Sequence, residues 1–121
     1  YGLGLLPWSP LEGGLLGGVI KKTEQGGRRT EGRAKKALET HREALVRYED
    51  FADEPGVAPR ILALAWLLHQ PAVTAPIVGP RIQAQLDDAL KALDTERDAE
   101  ALARLDTIFP GHRTAPEDYA W

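Results

Sequence analysis

The sequence predicts an α/β fold with a parallel pair of strands and a helix-rich remainder, and three observations carry that prediction. Two short runs read as strands: 2–6, apolar throughout and consistent with burial on both faces, and 73–78. Two helix-length periodic segments lie between them, and a strand–helix–strand connection of that length closes only as a parallel, right-handed crossover. Each run then leads into a glycine- or proline-marked loop and a further helix, the alternation of an α/β architecture.

The first run ends at Pro7. Gly13, Gly14, Gly17 and Gly18 follow closely, too many glycines for a stable helix but a backbone free to approach a ligand. Positions 19–33 are polar and read as a loop. A helix is expected over 34–53, with Leu38, His41, Leu45, Tyr48 and Ala52 along one stripe, ended by Glu54-Pro55-Gly56. Pro59 suits the first turn of a second helix running to about His69, where Pro71 stops it. The apolar run 61–68 leaves that helix no polar face, so it is expected to be covered.

In the second strand Pro76 cannot donate to a ladder, which moves it toward an edge, a bulge or a strand end. Gly79-Pro80 turns the chain into a helix over about 82–93, with Ile82, Leu86, Leu90 and Leu93 on one face. Thr95 with Asp98 resembles a capping box for a last helix reaching about Ile108. The segment 110–121 reads as a tail. A single parallel pair has two open edges and cannot hide both faces alone, so two strands are too few for a complete fold.

Composition narrows the function classes. The 121 residues suit one ordinary domain, and 43% apolar with 27% charged residues is a globular composition. A net charge of −3 does not imply nucleic-acid binding. Without cysteine there is no disulfide scaffold, thiolate metal site or cysteine nucleophile, and a reducing cytoplasm is the expected compartment. The longest apolar run, 61–68, is far below the roughly 20 residues of a membrane span. No basic leader precedes the opening apolar run, so a chain that starts inside a larger protein is expected, not a signal peptide.

Two segments could carry chemistry. Trp8-Ser9-Pro10-Leu11-Glu12-Gly13-Gly14-Leu15-Leu16-Gly17-Gly18 follows the first strand, and Ile77-Val78-Gly79-Pro80-Arg81 runs from the second strand into a helix. Both fall where strand C-termini meet loops, the binding edge of parallel α/β sheets. Glycine-rich backbone offers N–H donors to phosphate oxygens, a helix start adds positive potential, and Arg81 adds a planar guanidinium. Eight-stranded β/α barrels build phosphate sites from the loops after strands seven and eight in this way.

On these residues the chain resembles the aldo-keto reductases. LLPWSPLEGGLLGG is similar to their seventh-strand loop, ALAWLLHQPAVTAPIVGPRIQAQLDDALKALD to their eighth strand and following helix, and LARLD to their closing helix. The likeness is greatest to the branch of potassium-channel β subunits and aryl-alcohol-type reductases. It implies that residues 1–121 are the C-terminal portion of a (β/α)8 barrel, with two parallel strands. It also implies an NADPH site in which Ser9, Leu11 and Gly14 hold the pyrophosphate and Gly79 and Arg81 face the 2′-phosphate. Gln85 and Asp88 would approach the adenine and its ribose. The sequence departs from the family at Asp88 (more often Glu), Ala89 (commonly Asn), Gly17 (frequently Thr) and Val19 (frequently Lys). The family's catalytic Asp, Tyr, Lys and His lie on earlier strands. None of Tyr1, Tyr48, Tyr119, His41, His69 or His112 matches them, so no catalytic residue is expected here.

Two readings of function follow. In the first, the chain is the coenzyme-binding part of an NADPH-dependent reductase of aldehydes or ketones, with NADPH and a carbonyl substrate as partners and neither nucleic acid nor membrane. In the second, it is a truncated, inactive fragment serving as a binding or scaffold piece. Other features have bland readings beside functional ones. The three histidines lack metal-ligand spacing, and His69 suits a helix cap. Asp87 and Asp88 diverge on a helix and do not form an acid/base pair. Trp66 reads as core, and Trp8 as flanking the coenzyme or covering a barrel mouth. The basic stretch 21–36 is either a flap over a dinucleotide or a solvated loop. Tyr119 and Trp121 read as substrate-pocket residues or a frayed end.

Overall fold

The computed structural model describes residues 2–24, 33–96 and 98–111. The segment 2–8 lies beside 72–77 in parallel orientation, but neither forms a continuous strand. Single parallel bridges join Leu5 to Val73 and Trp8 to Ile77. Leu5 N–H donates to Ala72 O at 2.8 Å, and Thr74 and Ile77 donate to Leu5 O and Pro7 O, each at 2.8 Å. The expected pair of strands is therefore corrected to two isolated bridges. Pro7 and Pro76 have no N–H to give, which interrupts the ladder. Among the described residues no further strand flanks the pair to extend it. Gly4 permits the close approach, because a Cβ there would collide with Thr74 Oγ1.

Among the described residues six α-helices follow: α1 (Val19–Glu24), α2 (Arg33–Thr40), α3 (Arg42–Asp53), α4 (Pro59–Leu68), α5 (Gln83–Lys91) and α6 (Ala99–Ile108). The first of them occupies part of the stretch read as loop. The single helix expected over 34–53 is two, kinked at His41, whose ψ of 13° leaves the helical range. Hydrogen bonding runs on through the kink, His41 N–H to Ala37 O and Leu45 N–H to His41 O, so the bend redirects the stripe without ending it. Leu45, Tyr48 and Ala52 are buried as their spacing requires, while His41 is exposed. Residues 92–94 continue α5 as a 3-10 turn. Asp98 alone is the α6 cap, its carboxylate accepting Ala101 N–H at 2.8 Å; Thr95 bonds back to Lys91 O instead.

The helix α4 is central. Leu62 and Ala63 join Tyr48, Phe51 and Ala52 of α3 and Leu105 and Ile108 of α6 in one cluster. Ile61, Leu64 and Ala65, facing the other way, pack with Ala92 beyond α5. Burial on two sides explains why 61–65 tolerates no polar residue. A third cluster ties Leu15, Val19 and Ile20 to Leu45, fastening the glycine-rich segment to α3.

The predicted apolar face of α5 is not the buried one. Ile82, Leu90 and Leu93 are exposed, whereas Asp88 and Ala92 are buried. An ion pair and small residues make the contact with α4; of the predicted stripe Leu86 is half-buried, and Ile82, Leu90 and Leu93 turn outward. Leu3, Leu5, Leu6, Trp8, Ile77 and Val78 are exposed as well, so the bridged segments present an open apolar surface.

Candidate functional site

The glycine-rich segment is held by its own backbone. Ser9 and Glu12 adopt positive φ of 53° and 47°, uncommon for residues with a Cβ, and Gly13, Gly14 and Gly18 are left-handed at 63°, 99° and 86°. Glu12 N–H donates to Ser9 O at 2.9 Å, and Gly14 N–H to Leu11 O at 2.9 Å. The outcome is an irregular 3-10 turn over Glu12–Gly17, in which a Cβ on Gly13 or Gly14 would meet only open space.

That segment forms one wall of a cavity of about 420 Å³, through Ser9, Leu11, Gly13, Gly14, Gly17 and Lys22. Val78, Gly79, Pro80 and Arg81 also line it, and Arg60 and Leu64 of α4 and Gln85 and Ala89 of α5 complete it. Six of the seven coenzyme residues read from the sequence thus share a cavity: Ser9, Leu11, Gly14, Gly79, Arg81 and Gln85. Gln85 Oε1 accepts Arg81 N–H at 2.8 Å and closes the first turn of α5. Its amide nitrogen has the remaining donors.

Asp88 stands apart from that set. It is buried between Arg60, whose Nε donates to its Oδ2 at 2.6 Å, and Lys91, whose Nζ lies 3.0 Å from Oδ1. The hydrogen bonds from Lys91 and Arg60 hold its carboxyl below the ordinary range. Asp88 therefore neutralises a cavity cation and joins α5 to α4.

Sequence reasoning missed Lys22 and Arg60. Lys22 sat in a basic run with two open readings, and only α1 turns it back to donate from Nζ to Gly17 O. Arg60 follows a helix-opening proline, and nothing in sequence told which face it would take. Trp66 is half-buried, its indole N–H 3.3 Å from Asp106 Oδ1, and lines a second, mainly apolar cavity of about 460 Å³ with Trp8, Leu15, Tyr48 and Phe109. Burial pushes the Tyr48 phenol upward, and its hydroxyl donates to Pro59 O. The His69 ring contacts Ala65 O at 2.7 Å at the end of α4. Among the described residues no group of three or more His, Asp or Glu is placed to hold a metal, and no helix is long and apolar enough to cross a membrane. His112, Tyr119, Trp121 and most of the basic stretch before Arg33 lie outside the described residues.

The family model described as "Aldo/keto reductase family" matches residues 1–109. The chain belongs to the aldo/keto reductase family. It is 47% identical over 123 residues to the uncharacterized oxidoreductase YrpG of Bacillus subtilis, covering 99% of this chain and 36% of that protein. A candidate aryl-alcohol dehydrogenase of Schizosaccharomyces pombe is 36% identical over 89% of this chain and 31% of its own length. A candidate voltage-gated potassium channel β subunit of Arabidopsis thaliana is 32% identical over 78% and 31%. These are the relatives of the branch expected from the motifs. The aldo/keto reductase chain spans about a third of the length of the curated relatives it matches.

Proposed function

We propose that this chain is the coenzyme-holding, C-terminal portion of an NADPH-dependent aldo/keto reductase that reduces aldehydes or ketones in a reducing cytoplasm. The observation that carries the proposal is the shared cavity: two loops leaving parallel-bridged segments bring glycine-rich backbone and Arg81 to the lining of one cavity. The residues fit the group. Gly13 and Gly14 have no side chain between backbone and cavity, as a pyrophosphate requires, and Arg81 supplies a charge suited to a 2′-phosphate. The departure at Ala89, which borders the cavity, leaves Gln85 as the amide available to an adenine.

The coenzyme, when bound, supplies a hydride to a carbonyl carbon. The residues of this chain bind and orient it. No acid from this chain is assigned to protonating the carbonyl oxygen, since Tyr48 is buried and gives its proton to a backbone carbonyl. That same observation favours the second reading, an inactive binding or scaffold piece, if no catalytic strands accompany the segment. The open surface of Leu3, Leu5, Leu6, Ile77 and Val78 supports a barrel remainder that covers it.

The test is to titrate a reductase containing this segment with NADPH and NADH, following tryptophan fluorescence, and then to assay NADPH oxidation with 4-nitrobenzaldehyde. Tighter binding of NADPH and turnover in the complete protein are expected. Binding without turnover would favour the scaffold reading, and absence of binding would end the proposal.

A further inference from the structure

We propose that Lys22 is the second anion-binding cation of this cavity and takes the diphosphate, an assignment that rests on the coenzyme reading above. Among the described residues three cations border the cavity: Lys22, Arg60 and Arg81. Arg60 is neutralised by Asp88. Lys22 and Arg81 have no carboxylate partner among the described residues, and they come from separate segments of the cavity lining, Lys22 beside Gly17 and Arg81 beside Gly79 and Pro80. Such a cavity suits a ligand with two separate anionic groups, as in a dinucleotide with a ribose phosphate at one end. Arg81 meets the terminal phosphate; Lys22, at the end of the glycine-rich turn, meets the other.

The orientation of Lys22 is set by α3. Glu49, 1% exposed, accepts Ile20 N–H at 2.8 Å and Lys21 N–H at 3.0 Å, one on each carboxylate oxygen. Lys21 then pairs with Asp53 and, at 3.4 Å, with Asp50. Adjacent helical side chains point about 100° apart, so committing Lys21 to α3 turns Lys22 away from it. Lys22 runs back along Gly17 and Gly18, where an added Cβ would lie 3.9 Å from its Nζ and Cε respectively. The Gly17 carbonyl takes one of the three ammonium donors and leaves two for a ligand.

The competing account is that Lys22 only fastens the loop through Gly17 O. Glutamine separates the two, since its amide can donate to that carbonyl without carrying charge. The experiment measures ADP, NADPH and NADH binding to a reductase containing this segment, for wild type, Lys22→Gln, Lys22→Met and Lys22→Arg, with thermal melting of each. Lys22→Gln and Lys22→Met should each weaken all three ligands about tenfold and lower the salt dependence of ADP binding, with Lys22→Arg restoring most of both. Wild-type ADP affinity and salt dependence in Lys22→Gln would overturn the assignment. So would equal losses in all three variants. Failure of wild type to bind any of the three ligands would instead overturn the coenzyme reading, and this inference with it.

Discussion

Replacing Glu49 should release α1 from α3 and leave the rest of the helical layer in place. The carboxylate is buried and its contacts across the helices are two backbone N–H groups, Ile20 at 2.8 Å and Lys21 at 3.0 Å. A buried donor that loses its acceptor costs about 1–3 kcal/mol. Glu49→Ala orphans both, so the opening free energy of α1 should fall by about 2–6 kcal/mol, and Ile20 and Lys21 amide exchange should quicken about 30-fold or more. Glu49→Gln keeps one acceptor oxygen and should cost about 1–3 kcal/mol, or 5- to 150-fold. Hydrogen exchange resolved to single amides reads both variants. Amides of Leu62, Leu64 and Ala65, buried in α4 away from this contact, are the internal reference. Ile20 and Lys21 exchanging within about twofold of wild type in the alanine variant would refute the reasoning, since an N-terminal helix end unsupported by that carboxylate must open more often.

Arg81→Ala should weaken NADPH about tenfold and leave NADH nearly unchanged, because only NADPH carries the 2′-phosphate; parallel losses in a fluorescence titration would remove Arg81 from that role. The isolated 121-residue chain should not turn over carbonyl substrates, and steady NADPH oxidation with 4-nitrobenzaldehyde would contradict this. Lys91 and Arg60 depress the Asp88 carboxyl below 3.8, so the stabilisation it gives is fully present above that value and is lost as pH falls through the lower folded value. The melting-temperature gap between wild type and Asp88→Asn should therefore hold from about pH 6 down to about 4 and narrow progressively below that, and a gap that stays constant below about pH 4 would refute it. Arg104 both pairs with Glu54 at 2.7 Å and lies 4.3 Å over the Phe51 ring; Arg104→Ala should destabilise more than Glu54→Ala in urea titrations.

What the sequence determined by itself is local. The all-apolar run 61–68 required a covered helix, the spacing of Leu45, Tyr48 and Ala52 required a buried stripe, and Pro59 marked where α4 begins. Glycine density at 13–18 ruled out a regular helix, and the motifs of two loops pointed to the family and to six residues that line one cavity. These follow from backbone sterics and periodicity, which act over a few residues. Tertiary structure alone decided the rest. Pairing sets strand length, and the apolar runs at 2–6 and 73–78, broken by prolines and flanked by no further strand among the described residues, make only two bridges. Which face of α5 is buried depends on what α4 offers it: Arg60 draws in Asp88, and Ile82, Leu90 and Leu93 turn outward against their own periodicity. Lys22 reaches the cavity because Glu49, 27 positions later in the chain, holds the backbone that carries it, and contacts across such distances leave no periodic trace in the sequence.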